Sequence, residues 1–235
     1  MPDLLSEYMM QRFGDKREII GNKADPGPVI TFSRETGCNA SGVAHDLAIK
    51  LNEYGLQRGL KGGWQFINRE ILEKSADKLH LDPTHIKKVL TDKDRGVMDE
   101  VVEALSGKRH MSDLKIKKTT QEVLKEFAER GNVILVGRGG VIACRHIRRS
   151  VHVRFEAPLD WRVNEIMNRF GYDKKFAREF VIKSDKEREH TIGCLTGEKT
   201  CNTLFDLIIN SSRFTTRQMT DIIFQLVLVK EILPV

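Results

Sequence analysis

Short runs of β-branched and aromatic residues alternate with longer segments whose apolar positions recur at helical spacing. Residues 3–20 read as a polar-faced helix carrying Leu4, Leu5, Tyr8, Met9 and Phe13, and Gly21 with Asp25-Pro26-Gly27-Pro28 separates this arm from the rest. The run VITFS (29–33) predicts a strand. It leads through SRETGCNASG into a helix whose apolar side is Val43, Leu47 and Leu51, with Gly55 as its stop. WQFIN (64–68) predicts a second strand, followed by a helical segment from Arg69 to about Leu79. Residues 82–112 are charged and weakly periodic, as an insert or cover would be. A helix over 115–130 ends at Gly131, and NVILVG (132–137) reads as a strand buried on both faces. VHVRFEA (151–157) predicts the next strand. After Pro158 comes a helix with Val163, Ile166, Met167 and Phe170 on one side, stopped by Gly171. A charged helix over 174–190, a last strand at FDLIIN (205–210), and a Thr215/Gln218 capping box before a C-terminal helix complete the pattern. Alternating strands and helices predict an α/β fold around a parallel sheet.

Composition narrows the class. A chain of 235 residues, 40% apolar and 31% charged, accommodates one generous domain with an insert, and excludes collagen-like, disordered and disulfide-scaffold classes. Lys and Arg number 39 against 33 Asp and Glu, a surplus of +6 that suits an anionic partner without choosing among nucleotide, RNA and anionic membrane. The first twenty residues carry Asp3, Glu7, Asp15 and Glu18 and read as no signal peptide. The longest apolar-rich stretch, IIFQLVLVKEIL (222–233), is too short and too interrupted to span a bilayer. Cys38, Cys144, Cys194 and Cys201 form no CxxC, and His190, Cys194 and Cys201 lack a fourth ligand at metal spacing. A reduced, cytoplasmic protein with no membrane segment is the expectation.

In a parallel sheet, ligands bind where loops leave the carboxyl ends of the strands. The first such loop offers Ser33, Thr36, Gly37, Cys38, Asn39, Ala40, Ser41 and Gly42 as a phosphate-binding turn. Backbone N–H groups and a helix N-terminus meet there, and the Ser41 hydroxyl is placed to reach a phosphate-held metal ion. The pattern GxxxxGK[ST] is not satisfied: Arg34 and Asn39 stand at its glycines and Ala40 at its lysine. A tight, capped strand-to-helix turn accounts for the same residues. The second loop, VGRGG (136–140), presents Arg138 either for bidentate phosphate binding or for pairing with a carboxylate. Third, Arg162, Arg169, Arg178 and Arg188 project from two helices joined at Gly171 and Asp173. There they either line a solvated face or close together over a phosphoryl group. The basic cluster Arg145, His146, Arg148, Arg149, His152 and Arg154 has no interleaved aromatic platform and lies partly in a strand, which disfavours nucleic acid. No GxSxG elbow and no HxxxH or HxH pair occurs.

In order and spacing, VITFSRETG, FINREIL, VILVGRGG, VRFEAPLDWRVNEIM, DKER and FDLIINSSRFT resemble the cytidylate kinase-like family of the P-loop nucleoside monophosphate kinases, over roughly residues 28–230. The resemblance implies a three-layer P-loop kinase fold with a central parallel sheet. An N-terminal arm (1–27) would precede the domain (28–235), with an acceptor-side helical insert at 82–112 and a helical lid at 159–190. It implies phosphoryl transfer from ATP, with Mg²⁺, to a (d)CMP-like acceptor, and a nucleotide as the principal partner. Ser33-Arg34-Glu35 with Gly37 matches the family's SRE-x-G signature, and Arg138 falls on the arginine of its GRD motif. Arg162 falls on the arginine that begins the lid helix, and Asp185 with Arg188 on an Asp-x-x-Arg pair at the acceptor and lid. Asn210 and Ser212 follow the last strand, where donor base and acceptor approach. Arg34, Arg138, Arg162 and Arg188 are thereby expected to be catalytic, Asn68, Arg138, Asp185 and Arg188 to bind the acceptor, and Ser41 to bind the metal.

Three departures bear on turnover. Ala40 replaces the loop lysine, Gly139 the GRD aspartate, and Asn68 an acidic residue. Loss of one electrostatic contributor of this kind costs roughly 10²–10³ in rate by analogy with oxyanion donors. The alternative expectation is a catalytically inactive nucleotide sensor that uses the same pocket and forms a homodimer through the arm. An RNA-binding protein is a third, disfavoured reading.

Overall fold

The computed structural model describes residues 26–60, 63–68, 124–125, 127–137, 139–196 and 201–233. The N-terminal arm and the dimer contact expected of it, the helical segment over 69–79, the insert at 82–112 and Arg138 lie outside the described residues.

Five strands, β1 (Val29–Arg34), β2 (Gln65–Ile67), β3 (Val133–Val136), β4 (Ser150–Glu156) and β5 (Leu207–Asn210), form one sheet in the order β2-β3-β1-β4-β5, every pair parallel. β1 is central, with Val29 opposite both Val133 and Ser150, so its carboxyl end opens between two neighbouring strand ends. All four residues of β3 are buried, as its uninterrupted apolar run predicts.

The period-2 alternation of strand side chains divides the core into two layers. Ile30, Phe32, Ile134, Val136, Val153 and Phe155 pack against α1 (Ala40–Gln57) and α5 (Thr216–Val229), and Phe32 meets Phe155 edge-on at 5.0 Å. Val29, Val133 and Leu135 face the opposite layer, built from Leu124, Ala128 and the short helix α2 (Gly140–Cys144). Between β1 and β4 that second face carries a buried polar seam. The Ser150 hydroxyl donates to the Ile147 carbonyl at 2.6 Å and so accepts from His152 Nε2 at 3.2 Å, which leaves Nδ1 to accept from the Thr31 hydroxyl at 2.7 Å. These roles assign a neutral, Nε2-protonated imidazole, and burial correspondingly pushes the His152 pKa down to about 4.

α3 (Leu159–Phe170) and α4 (Lys174–Thr196) form a helical hairpin with its own small core of Val163, Ile166, Ala177 and Val181. Gly171 ends α3 in the left-handed conformation, φ +70°, as the sequence predicts. The Thr215–Gln218 capping box forms reciprocally at the start of α5, with bonds of 3.3 and 2.9 Å. Two boundaries differ from expectation. α1 begins at Ala40, before the apolar periodicity starts at Val43, because Asn39 caps a turn made of small residues. Its other end passes through Gly55, which is buried, to Gln57. The reversal falls instead on Gly59, φ +66°.

Candidate functional site

β1 delivers the chain at Arg34 into a five-residue turn, Glu35 to Asn39, and α1 starts at once. The turn is fixed from within. Cys38 N–H donates to the Glu35 carbonyl at 3.3 Å, and the Asn39 side chain accepts from Gly42 N–H at 3.4 Å as the helix cap. Asn39 Nδ2 also reaches Thr216 Oγ1 at 3.4 Å, joining the turn to the first residue of α5. Cys38 and Ala40 point into the core, and burial lifts the Cys38 thiol to about 11, so neither supplies a cation or a thiolate. The Ser211 hydroxyl lies against that thiol, itself buried and without a well-formed hydrogen bond among the described residues. Ser33 is buried on β1, whereas Ser41 and Gly42 are half-buried in the first turn of α1.

Gly37 is the position with no alternative. Its φ is +97°, and a Cβ there would stand 2.9 Å from both Cβ and the carbonyl oxygen of Arg162. The first turn of α3 therefore lies directly on the loop. Arg162, only 7% exposed, bonds the Ala157 carbonyl through Nε at 2.9 Å and the Thr36 carbonyl through a terminal nitrogen at 3.2 Å. It also pairs with Glu35 at 3.2 Å and with Asp185 at 2.5 Å. Asp185 Oδ1 in turn accepts from the Thr36 N–H and the Thr36 hydroxyl, both at 2.7 Å, and from Arg188 at 3.2 Å. Arg188 also contacts the Thr36 hydroxyl. Burial lowers the Arg188 pKa from its usual value while Asp185 opposes it, and the guanidinium stays a cation at neutral pH.

Arg162, Asp185 and Arg188, three residues singled out from sequence, thus converge on a fourth, Thr36. The charge is not the cationic cluster expected, however. Glu35 and Asp185 balance the two guanidiniums, and Arg162 is engaged on every side by protein groups. Arg178 and Arg169 do not join the cluster: Arg178 pairs with exposed Asp160 at 2.9 Å, and Arg169 is exposed.

Arg34 takes the other direction. A Cβ on Gly137, φ +80°, would lie 1.7 Å from an Arg34 guanidinium nitrogen, so the side chain crosses from the end of β1 to the end of β3 through space that only glycine leaves. Asn68 follows the last residue of β2. Beyond β5, Asn210 Oδ1 accepts from the Ser212 N–H at 3.1 Å and hydroxyl at 2.7 Å, closing the turn there. The basic cluster does not assemble into one patch. His152 is buried, Arg149 bonds the Ile232 carbonyl at 3.1 and 2.8 Å, and Arg154 pairs with Glu156 at 2.5 Å.

Glu35 is the residue that sequence reasoning passed over. Its carboxylate accepts from the Ala157 N–H at 3.0 Å besides pairing with Arg162, so it ties the loop to the junction between β4 and α3. The signal was present in the SRE triplet, where an acidic residue directly follows a buried strand at a ligand-binding edge. Among the described residues, no group of three His, Cys, Asp or Glu side chains could hold a metal ion, and no helix is long and apolar enough to cross a membrane.

Comparison with known proteins bears on this arrangement. An uncharacterized protein from Eubacterium ventriosum has a similar structure, with a TM-score of 0.59 and 18% identity over 85% of this chain and 97% of the other, which shows a shared fold. A shikimate kinase from Bacteroides thetaiotaomicron aligns with a TM-score of 0.47 and 15% identity over 84% of this chain and 96% of its own. A curated uronate isomerase from Corynebacterium glutamicum is 26% identical over 110 residues, 46% of this chain, and the match spans only 21% of that protein's length. The model of the cytidylate kinase-like family matches residues 29–213, from the first residue of β1 to beyond the end of β5. With its all-parallel sheet, capped β1–α1 loop and helical hairpin docked on that loop, the chain belongs to the cytidylate kinase-like family.

Proposed function

We propose that this protein transfers the γ-phosphoryl group of ATP to a nucleoside monophosphate such as (d)CMP, or to a related small acceptor. The observation that carries the reading is the central strand β1 running through a five-residue turn into α1, at the carboxyl edge between β3 and β4. A helix N-terminus in that position is a seat for phosphate oxygens. The left-handed glycine at 37 lets the turn close tightly, and the half-buried Ser41 and Gly42 stand at the helix N-terminus where polyphosphate oxygens would bind. Mg²⁺ fits this donor set in one way: the Ser41 hydroxyl would hold it together with phosphate oxygens and water. When bound, the ion neutralises charge on the transferring group.

Phosphoryl transfer asks mainly for positioning and positive charge. The acceptor's phosphate oxygen forms the new bond to phosphorus as the bond to the β-phosphate oxygen breaks and ADP leaves. Arg34, lying over Gly137, supplies the cation that Ala40 does not, and Arg188 supplies one from the lid. Arg162 serves as a positioning residue, since its nitrogens hold Thr36, Ala157, Glu35 and Asp185 in register. The family resemblance assigns Arg138, Asn68 and Asp185 to the acceptor.

Two observations favour the second reading, an inactive nucleotide-binding module. Ala40 is only 1% exposed, so its side chain faces away from any ligand, and Gly139 stands where the family's aspartate would be, at φ +69°. The discriminating experiment is coupled ADP release with Mg²⁺ across a panel of nucleoside monophosphates and small phosphorylated acceptors. Release that depends on one acceptor and falls in Arg34→Ala supports the kinase. ATP-driven thermal stabilisation with no release under any acceptor supports the binding module.

A further inference from the structure

The carboxylate of Asp185 sits in a donor set suited to a phosphoryl group. It receives one backbone N–H and one hydroxyl from Thr36, each at 2.7 Å, and one guanidinium each from Arg162 at 2.5 Å and Arg188 at 3.2 Å. A main-chain N–H, a hydroxyl and two arginines converging on one point are what a phosphate oxygen takes from a protein. Thr36 belongs to the loop, whereas Asp185 comes from the middle of α4, so the anion in this seat is delivered by the lid.

We infer that Asp185 is an internal competitor for the loop: in the ligand-free protein it fills an oxyanion seat formed by Thr36, Arg162 and Arg188, and a polyphosphate entering the loop takes its place. The inference rests on the phosphate-binding reading of the loop and adds a regulation to it. Two anions cannot share the Thr36 N–H at 2.7 Å, so ligand binding and the Asp185 contact exclude each other. The exchange has a mechanical consequence. Asp185 and Arg188 tie α4 to the loop at Thr36, while α3 remains tied through Arg162 to Ala157 and Glu35. Displacing the carboxylate therefore removes one of the two ties of α4 to the loop, while α3 stays anchored and α4 stays packed on it through Ala177 and Val181. Arg162 and Arg188, released from Asp185, are then left facing the incoming phosphoryl oxygens, so the same event that loosens the lid uncovers its charge.

The test measures tripolyphosphate affinity by calorimetry in the wild type, Asp185→Asn, Asp185→Ala and Glu179→Gln. The last removes one exposed lid carboxylate and controls for net charge. Both Asp185 variants are expected to bind tripolyphosphate about 5–150-fold more tightly than wild type, the span of ordinary coupling between two sites. Glu179→Gln is expected to bind as wild type does. Hydrogen exchange without ligand supplies an independent arm: in the Asp185 variants, peptides covering the loop at 33–39 and α4 at 180–189 exchange faster than in wild type. Asp185→Asn preserves shape, so the test stands if Asp185→Ala folds poorly. Equal or weaker tripolyphosphate binding in a folded Asp185 variant would overturn the inference while leaving the loop as a phosphate site. Failure of every protein, wild type included, to bind tripolyphosphate or ATP would overturn the phosphate-loop reading and the competition together.

Discussion

Substituting Gly37 with alanine tests how tightly α3 packs on the β1–α1 loop. Two costs add at this position. The first is conformational, because φ +97° is a region that side chains with a Cβ occupy at roughly 1–3 kcal/mol. The second is steric: the new Cβ meets the Arg162 Cβ and carbonyl oxygen at 2.9 Å and its Cα at 3.0 Å. These atoms belong to the start of a helix and cannot swing aside as a flexible side-chain tip could. Relief requires α3 to withdraw by several tenths of an ångström, which stretches the 3.2 Å bond from Arg162 to the Thr36 carbonyl and loosens its pairing with Asp185. Gly59 and Gly171 provide the controls. Both have positive φ, +66° and +70°, and a Cβ at either meets nothing within 4 Å, so Ala there incurs the conformational cost alone, about 1–2 kcal/mol. Gly37→Ala is expected to lose about 2–4 kcal/mol, and for a chain of this size each kcal/mol moves Tm by roughly 2–4 °C. Thermal unfolding should therefore place Gly37→Ala well below Gly59→Ala and Gly171→Ala. A Tm for Gly37→Ala equal to that of the two controls would refute the packing of α3 on the loop.

Three further outcomes follow from particular groups. His152 is neutral in the fold with its pKa near 4, below the ordinary 6.5, so the unfolded chain takes up the proton first as pH falls. Its stabilising contribution is complete above 6.5 and is lost toward 4, about 3 kcal/mol in all, and urea unfolding across that range should be flatter for His152→Gln than for wild type. In a Cys194→Ser background, a thiol reagent should label Cys201, which is exposed, and spare native Cys38 and Cys144, whose pKa values burial lifts to about 11 and about 12. Thr215→Ala removes half of a capping box and should lower unfolding free energy by about 1 kcal/mol, with Thr215→Ser restoring most of it.

What could be read from the sequence was governed by local periodicity. The buried run at β3, the α3 stop at Gly171 and the capping box at Thr215 each announce themselves within a few residues, because strand burial, left-handed glycine and reciprocal capping are local requirements. The start of α1 was less legible: Ala40, Ser41 and Gly42 carry no apolar period, and the cap on Asn39 outweighs that silence. Within the site, Thr36, Arg162, Asp185 and Arg188 were identified from spacing and resemblance, yet their meeting depends on α4 folding back across the loop. That contact joins residues 149 positions apart and has no local signature. For the same reason the sequence suggested four arginines accumulating positive charge, whereas the fold pairs two of them with Glu35 and Asp185. Sequence charge counts the groups, but only tertiary contact shows which are already matched.

The central claim is that the β1–α1 turn is where a nucleotide's phosphates bind. Backbone amide shifts recorded by NMR during an ATP and Mg²⁺ titration test it directly. The account predicts the largest changes at Thr36 to Gly42, accompanied by α4 around Asp185 and Arg188. Saturable binding whose shifts centre elsewhere and leave the amides of Thr36 to Gly42 unmoved would contradict it.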